Sequence, residues 1–258
     1  MTTEELHSSI LRHRSMLCVG LDTDWSRLPD CIKRGSPADA VLRFNKEIID
    51  ATAPYCIAYK PNLAFYEVLG HDGMRVLADT VDYIRARHPG KFLIADAKRG
   101  DIGNTARMYA KTFFETYDFD AVTLSPYMGV ETALPFLEYP GRFAIVVALS
   151  SNPGSADFEQ PEKVMKKMME VSTPENMMFV VGATKSSSFK EIRTLCPDSF
   201  FLVPGVGAQG GNAEEVIANG ANSHGGLIIN SSRAIIYASS GSDFAKAAAE
   251  VAAKTARV

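Results

Sequence analysis

Short apolar runs alternate with longer amphipathic stretches along the whole chain. The apolar runs are rich in β-branched residues and lie at 16–22, 56–61, 92–96, 120–124, 143–149, 177–182, 200–204 and 225–230. Strands that are buried on both faces have this nearly continuous apolar character, as in a parallel sheet covered by helices. The pattern therefore predicts eight buried strands in a parallel sheet.

The amphipathic stretches predict one helix after each strand. They span 37–53, 63–87, 102–117, 129–138, 160–171, 186–195, 211–219 and 241–255. Ser36 ahead of Pro37 is typical of a helix start, and Ser242 with Asp243 is expected to cap the last helix. Eight βα units without a linker predict one α/β domain over residues 1–258, a (β/α)8 TIM barrel. No GxGxxG fingerprint follows the first strand, which disfavours a doubly wound sheet.

Composition and charge narrow the classes of function. The 258 residues carry a formal net charge of -3, which gives no electrostatic reason to expect a nucleic-acid or membrane-surface partner. The longest apolar run, 143–149, is far shorter than the roughly 20 residues that span a bilayer. The first 15 residues lack the features of a secretory signal. The cysteines form no CxxC pair, so we expect buried free thiols in a reducing, cytoplasmic compartment; they are Cys18, Cys31, Cys56 and Cys196.

Charged residues collect where the first three predicted strands end. Asp22 ends the first strand, Lys60 the second, and Asp96, Lys98 and Asp101 follow the third. Active sites of TIM barrels lie at these strand ends. Asp96 and Lys98 are two residues apart, so an extended backbone would project both toward one face. A lysine between carboxylates is held in its ammonium form, which suits it to protonate a carbanion.

Two of these residues also have ordinary explanations. Asp101 could be no more than a helix N-cap, and Lys60 before Pro61 could be a solvated lysine at a strand end. Independent surface charges should not, however, collect at the ends of three consecutive strands. The group as a whole therefore favours a buried charged site.

The last two loops predict a phosphate site. Segment 204–211 is rich in glycine, whose backbone N–H groups can approach an anion closely, and Arg233 follows the eighth strand with a guanidinium suited to phosphate. A plain glycine-rich turn is the alternative. Ser150 and Ser151 open a Ser-Asn-Pro-Gly segment that either binds a carbonyl or ring nitrogen or forms an ordinary turn. Segments 153–162 and 204–213 are candidate lids.

Six sequence blocks together resemble one enzyme family. DAKRGDI at 96–102, with Thr105 behind it, is similar to the signature of orotidine 5′-phosphate decarboxylases, most closely of their bacterial-type branch. Five more blocks match in the same order: VGLDTD at 19–24, YKPNLAFYE at 59–67, SNPGS at 151–155, PGVGAQGG at 204–211 and NSSRAIIYA at 230–238. The resemblance implies decarboxylation of orotidine 5′-phosphate to UMP and CO2, the last step of de novo UMP synthesis, without a metal or other cofactor.

The resemblance also implies a role for each matching residue. Lys98 would protonate the pyrimidine carbon that loses CO2, with Asp96 and Lys60 beside it. Asp101 and Thr105 would reach into the partner's site in a homodimer, and Asp22 would hold a ribose hydroxyl. Ser151 is preferred over Ser150 as the residue that binds the pyrimidine amide. The phosphate would be held by Gly207, Ala208, Gln209 and Arg233.

Two other functions remain open at this point. A metal-dependent sugar-phosphate lyase or decarboxylase on a similar barrel could use the same Asp and Lys positions. The sequence adds no ligand cluster to them, since the histidines show no ligand spacing; they are His7, His13, His71, His88 and His224. A non-catalytic nucleotide-binding protein would need only the phosphate loop and would leave the charged group unexplained.

Overall fold

A closed barrel of parallel strands forms the centre of the computed structural model, which describes residues 1–205 and 212–256. Within these residues the strands follow one another around the barrel in chain order, and β8 pairs with β1. They are β1 (Leu17–Gly20), β2 (Ala58–Lys60), β3 (Phe92–Arg99), β4 (Ala121–Leu124), β5 (Phe143–Leu149), β6 (Met177–Val181), β7 (Phe201–Val203) and β8 (Leu227–Ser231). The predicted eight-stranded TIM barrel is confirmed.

The described residues form eleven helices, most of which cover the outside of the barrel. They are α1 (Thr3–His13), α2 (Pro37–Thr52), α3 (Ala64–Glu67), α4 (Gly70–Arg87), α5 (Gly103–Lys111), α6 (Leu134–Leu137), α7 (Pro161–Met169), α8 (Phe189–Leu195), α9 (Ala213–Gly220), α10 (Arg233–Ile236) and α11 (Phe244–Thr255). The single helix predicted over 63–87 is wrong, because Gly70 has a φ of +62° and the chain turns between α3 and α4. The helix predicted over 102–117 is α-helical only as far as Lys111 and continues as a short π-helix over Thr112–Thr116.

Two helices were not predicted, α1 and the short α10. α1 begins with a capping box, in which the Thr2 hydroxyl accepts from the backbone N–H of Glu5 and the Glu5 side chain accepts from that of Thr2. Leu6 and Ile10, one turn apart, are buried in the same apolar cluster as the inner residues of the barrel. α1 therefore closes the end of the barrel opposite the strand C-termini.

The two predicted helix caps differ in outcome. Ser36 caps α2 as expected, since its hydroxyl accepts from the Asp39 N–H at 3.2 Å. Asp243 occupies the N-cap position of α11, but its carboxylate accepts from the Ser239 hydroxyl at 2.6 Å and makes no capping bond. The predicted cap at Ser242 and Asp243 is therefore wrong, because a nearer hydroxyl takes the carboxylate.

Alternation along the strands positions the site. Residues two apart on a strand share a face, and the inner face carries Ala58 and then Lys60 on β2, and Ile94 and then Asp96 on β3. The lower inner layers are apolar, and many of their residues belong to one buried cluster: Cys18, Ala58, Phe92, Ile94, Phe143, Ile145, Met178 and Ile228. The polar residues thus form the top layer of an otherwise apolar barrel interior.

Two predictions from the sequence, on the cysteines and on membrane-spanning segments, can be compared with the structure. Cys18, Cys56 and Cys196 are buried free thiols, but Cys31 is exposed, so the expectation that all four cysteines are buried is wrong. Cys31 lies in a short 3-10 turn between β1 and α2, outside the core. Among the described residues, no helix has the length and apolar character needed to cross a membrane.

Candidate active site

A cavity of about 300 Å³ opens at the C-terminal ends of the strands. Residues from the strand ends and the loops after them line it. They include Asp22, Lys60, Asn62, Asp96, Lys98, Thr123, Val147, Ser150, Ser151, Asn152, Val180, Gly205, Asn230 and Arg233. The structure thus brings six of the predicted site residues into one cavity: Asp22, Lys60, Asp96, Lys98, Ser151 and Arg233.

Charges of alternating sign form a row across this cavity. The Lys60 ammonium lies 2.8 Å from Asp96 Oδ2 and 3.9 Å from Asp22 Oδ1. Asp96 Oδ1 lies 2.5 Å from the Lys98 ammonium. Lys60 is only 3% exposed, so the alternative of a solvated surface lysine is wrong. Each charge inside the row has a neighbour of opposite sign, which is the condition for burying such groups.

The environment holds both Asp96 and Lys60 in their charged forms. Burial alone would raise the pKa of Asp96, but the Lys60 and Lys98 ammonium groups outweigh it and hold that pKa well below its usual range. Burial would lower the pKa of Lys60, but Asp96 and Asp22 outweigh it and raise that pKa above its usual value. Asp96 is therefore a carboxylate and Lys60 an ammonium around neutral pH.

Lys98 contacts Asp96 as predicted, but its backbone conformation differs from the expected one. Its φ is +45°, in the left-handed region, so the predicted extended backbone at this position is wrong. The pairing of β3 with β4 shifts its register between Ala95 and Arg99, which marks an irregularity in β3 here. The Lys98 side chain is 55% exposed and also borders a second, larger cavity beyond β4 and β5.

The loop after β5 holds the two candidate serines differently. Glu159 accepts from the Ser150 N–H at 2.6 Å and from the Ser150 hydroxyl at 2.6 Å, which ties Ser150 to the loop itself. Ser151 lines the cavity and lies against Gly182 at the end of β6, where a Cβ would lie 2.8 Å from the Ser151 backbone. Only glycine at 182 lets the loop come so close.

Of the remaining predicted residues, two lie outside the cavity of their own chain and three are not among the described residues. Asp101 and Thr105 do not line the cavity of their own chain, and Thr105 is exposed. Asp101 Oδ1 accepts from the N–H of Ile102 at 2.8 Å, and Ile102 occupies the N-cap position of α5, so Asp101 is not its cap. Gly207, Ala208 and Gln209, with most of the candidate lid at 204–213, lie outside the described residues.

Thr123 and Asn230 line the cavity but were missed from the sequence. Both are buried and lie two residues after an inward-facing apolar residue, Ala121 on β4 and Ile228 on β8. Lys60 likewise lies two residues after the inward-facing Ala58. A search for polar residues on the inward face of each predicted strand would therefore have identified Thr123 and Asn230. In the described part of the chain, Asn230 Oδ1 and Asp22 Oδ1 are buried and have no hydrogen-bond donor.

Comparisons with known proteins identify the family of this chain. Residues 15–249 match the orotidine 5′-phosphate decarboxylase / HUMPS family. Orotidine 5′-phosphate decarboxylase of Phocaeicola vulgatus is 52% identical, over 98% of this chain and 96% of its own length, which fits the expected bacterial-type branch.

Solved structures give the same result. The OMP decarboxylase of Leishmania donovani has a TM-score of 0.79 and 32% identity, with 97% of this chain and 96% of that chain covered. A putative orotidine-monophosphate decarboxylase of Toxoplasma gondii has a TM-score of 0.82 and 31% identity, with 97% and 95% covered. The chain therefore belongs to the orotidine 5′-phosphate decarboxylase / HUMPS family.

Proposed function

We propose that this chain decarboxylates orotidine 5′-phosphate to uridine 5′-phosphate and CO2, and that Lys98 donates the proton that replaces the carboxylate. The observation that carries this proposal is the paired row of Asp22, Lys60, Asp96 and Lys98 at the barrel mouth. It belongs to a chain whose relatives at 52% identity are named for this reaction. The reaction makes the chain a carboxy-lyase of pyrimidine biosynthesis.

The chemistry requires a fixed cation. Breaking the bond between C6 and the carboxylate releases CO2 and leaves the electron pair on C6, in an orbital that lies in the ring plane. This pair does not delocalise into the ring carbonyls, so electrostatic stabilisation must come from the protein. Lys98 supplies a positive charge there, transfers a proton from Nζ to C6, and regains a proton from water. Atoms and charge balance without a redox partner.

Asp96 and Lys60 hold Lys98 in place. Asp96 accepts from Lys98 with one oxygen and from Lys60 with the other, so its carboxylate cannot rotate without losing a charged hydrogen bond. Lys60 keeps Asp96 ionised. A divalent ion at Asp22 and Asp96 would have to displace the Lys60 ammonium, which favours a mechanism without a metal.

The rest of the cavity suits the nucleotide. Asp22 Oδ1, a buried acceptor with no donor among the described residues, fits a ribose hydroxyl, and Asn62 lines the same cavity. Ser151 lines the cavity and is assigned to the pyrimidine amide, because it directly precedes the Asn-Pro-Gly segment, as the family resemblance implies. Arg233 is assigned to the phosphate, together with the family positions Gly207, Ala208 and Gln209.

A homodimer would complete the site. Asp101 and Thr105 do not reach the cavity of their own chain, and we assign them to the partner's cavity, as the family resemblance implies. Ile102 and Met108 flank Thr105 and are 45% and 50% exposed, which is apolar surface that a second subunit would cover. We also place the protein in the cytoplasm, which suits its free thiols.

A spectrophotometric assay separates this function from the metal-dependent alternative. Ultraviolet absorbance is followed with purified protein and orotidine 5′-phosphate, with and without EDTA, and in parallel with a sugar phosphate plus Mg²⁺. Turnover of the nucleotide that survives EDTA supports the proposal. Turnover abolished by EDTA would keep the reaction but contradict the mechanism. Activity only on the sugar phosphate would overturn the function, and tight UMP binding without any turnover would favour a binding protein.

A further inference from the structure

One buried hydroxyl touches both partners of the Asp96–Lys98 pair. Thr123 lies on β4, is 1% exposed and lines the cavity. Its Oγ1 accepts from the backbone N–H of Ala97 at 3.0 Å and from that of Lys98 at 2.9 Å. The same oxygen lies 3.1 Å from Asp96 Oδ1.

The direction of these hydrogen bonds follows from counting. A hydroxyl has one proton and two acceptor lone pairs. The two N–H groups occupy both lone pairs of Thr123, so its proton is left to donate. Asp96 Oδ1 at 3.1 Å is nearer than the Ala95 carbonyl at 3.5 Å and carries a negative charge, so the proton points to Asp96.

We propose that Thr123 is the positioning residue of this site. It stabilises the irregular turn of β3, in which Lys98 has its left-handed φ, and it orients the carboxylate that holds the Lys98 ammonium. The inference rests on the function proposed above, since it assigns Thr123 to the placement of the proton donor. Thr123 acts through Asp96 and Lys98 and not on the substrate.

The left-handed turn needs such support. A non-glycine residue at positive φ is strained and persists only where its surroundings hold it there. The Ala97 and Lys98 N–H groups donate to the Thr123 hydroxyl on β4 in a partly buried position, and losing an acceptor where water is partly excluded is costly. Valine at 123 would keep the shape and volume of threonine but would leave both N–H groups without an acceptor. Serine would keep the acceptor and the donor.

Steady-state kinetics on orotidine 5′-phosphate test the inference. We expect Thr123→Val to lower kcat at least about tenfold, because small displacements of a catalytic group have effects of this size, and to leave KM within about threefold. Thr123→Ser should restore most of kcat. Thr52→Val is the matched control, since the Thr52 hydroxyl is as deeply buried and donates to the Ile48 carbonyl away from the cavity. It should lower the melting temperature without lowering kcat.

Several results would overturn the inference. The inference is wrong if Thr123→Val keeps kcat within twofold of wild type. It is also wrong if Thr52→Val lowers kcat as much as Thr123→Val does, or if kcat of Thr123→Ser is no higher than that of Thr123→Val. A crystal structure of Thr123→Val gives a readout that does not depend on turnover. Lys98 keeping its left-handed φ and its contact with Asp96 there would overturn the positioning role. An inactive wild-type protein would instead contradict the proposed function, and the crystal structure would still decide the role of Thr123.

Discussion

The ammonium of Lys98 lies 2.5 Å from Asp96 Oδ1, although the backbone between the two residues is not a regular strand. The left-handed φ at Lys98 turns the chain within β3, and the long lysine side chain spans the remaining distance. The pair is therefore set by the irregularity of the strand and by the hydroxyl of β4 that supports it, and not by strand alternation alone. This arrangement places an exposed ammonium group above a buried carboxylate.

Removing the Arg233 guanidinium should affect the nucleotide far more than the nucleoside. A charge-assisted bidentate contact with phosphate contributes enough that Arg233→Ala should lower kcat/KM for orotidine 5′-phosphate about 100-fold. Decarboxylation of the phosphate-free nucleoside should change less than about threefold, because it lacks the phosphate that we assign to Arg233. Steady-state kinetics on both substrates measure the difference. Arg12→Ala at the opposite end of the barrel is the control, and equal losses on both substrates would contradict the phosphate role.

Mixed dimers test the assignment of Asp101 to the partner's site. Asp101→Ala and Lys98→Ala should each be inactive alone. In a mixed dimer one of the two sites receives Lys98 and Asp101 from unaltered positions, so random exchange of subunits should restore roughly a quarter of wild-type activity. Activity is measured after the two variants are mixed and allowed to exchange. No recovery in a mixture proven to contain mixed dimers would place Asp101 in its own subunit's site.

The free energy of unfolding should decrease when the pH falls below neutral, because of His13 on α1 at the closed end of the barrel. His13 Nδ1 donates to the Ser9 carbonyl at 2.9 Å, and Nε2 faces the Lys91 ammonium at 3.0 Å, so the ring is neutral. Burial and the charges of Lys91 and Arg12 lower the pKa of His13 from 6.5, although the Ser9 carbonyl opposes them. As the pH falls, His13 therefore takes up a proton at a higher pH in the unfolded chain than in the folded protein. The stability that the neutral ring contributes is complete above about pH 6.5 and is lost as the pH falls below that value.

Urea unfolding at pH 7 and pH 5 measures this effect. The wild-type free energy of unfolding should drop between the two values, and His13→Gln, which has no titrating ring, should drop less. Stability at pH 7 provides the reference for each protein, so any constant effect of the substitution cancels. The same drop in both proteins would contradict the role of His13.

Most of the barrel could be predicted from the sequence because each strand is a short apolar run bounded by polar residues. The buried strands β4, β5 and β6 lie almost where the hydrophobic pattern places them. The break at Gly70 depends on one backbone angle, and α1 lies before the first strand, outside the repeating pattern. The pattern therefore identifies elements more reliably than their interruptions.

Without the family resemblance, which added Ser151, the site could be predicted only as far as charge reveals it. Asp22, Lys60, Asp96 and Lys98 stand out because ionised residues are unusual at the ends of buried strands. Thr123 and Asn230 carry no charge, and the sequence around them shows only a polar residue near the end of an apolar run. Their roles depend on which neighbours they meet across the barrel, and those contacts exist only in the fold.

The most direct test of the central claim compares wild type with Lys98→Ala in two measurements, decarboxylation of orotidine 5′-phosphate and binding of UMP. If Lys98 stabilises and protonates the C6 carbanion, the variant should lose about a thousandfold or more in kcat. The Kd for UMP should stay within about tenfold, because the residues that we assign to nucleotide binding, Asp22, Ser151 and Arg233, are unchanged. A folded Lys98→Ala protein that keeps kcat within tenfold of wild type would contradict the assignment of Lys98 as the proton donor.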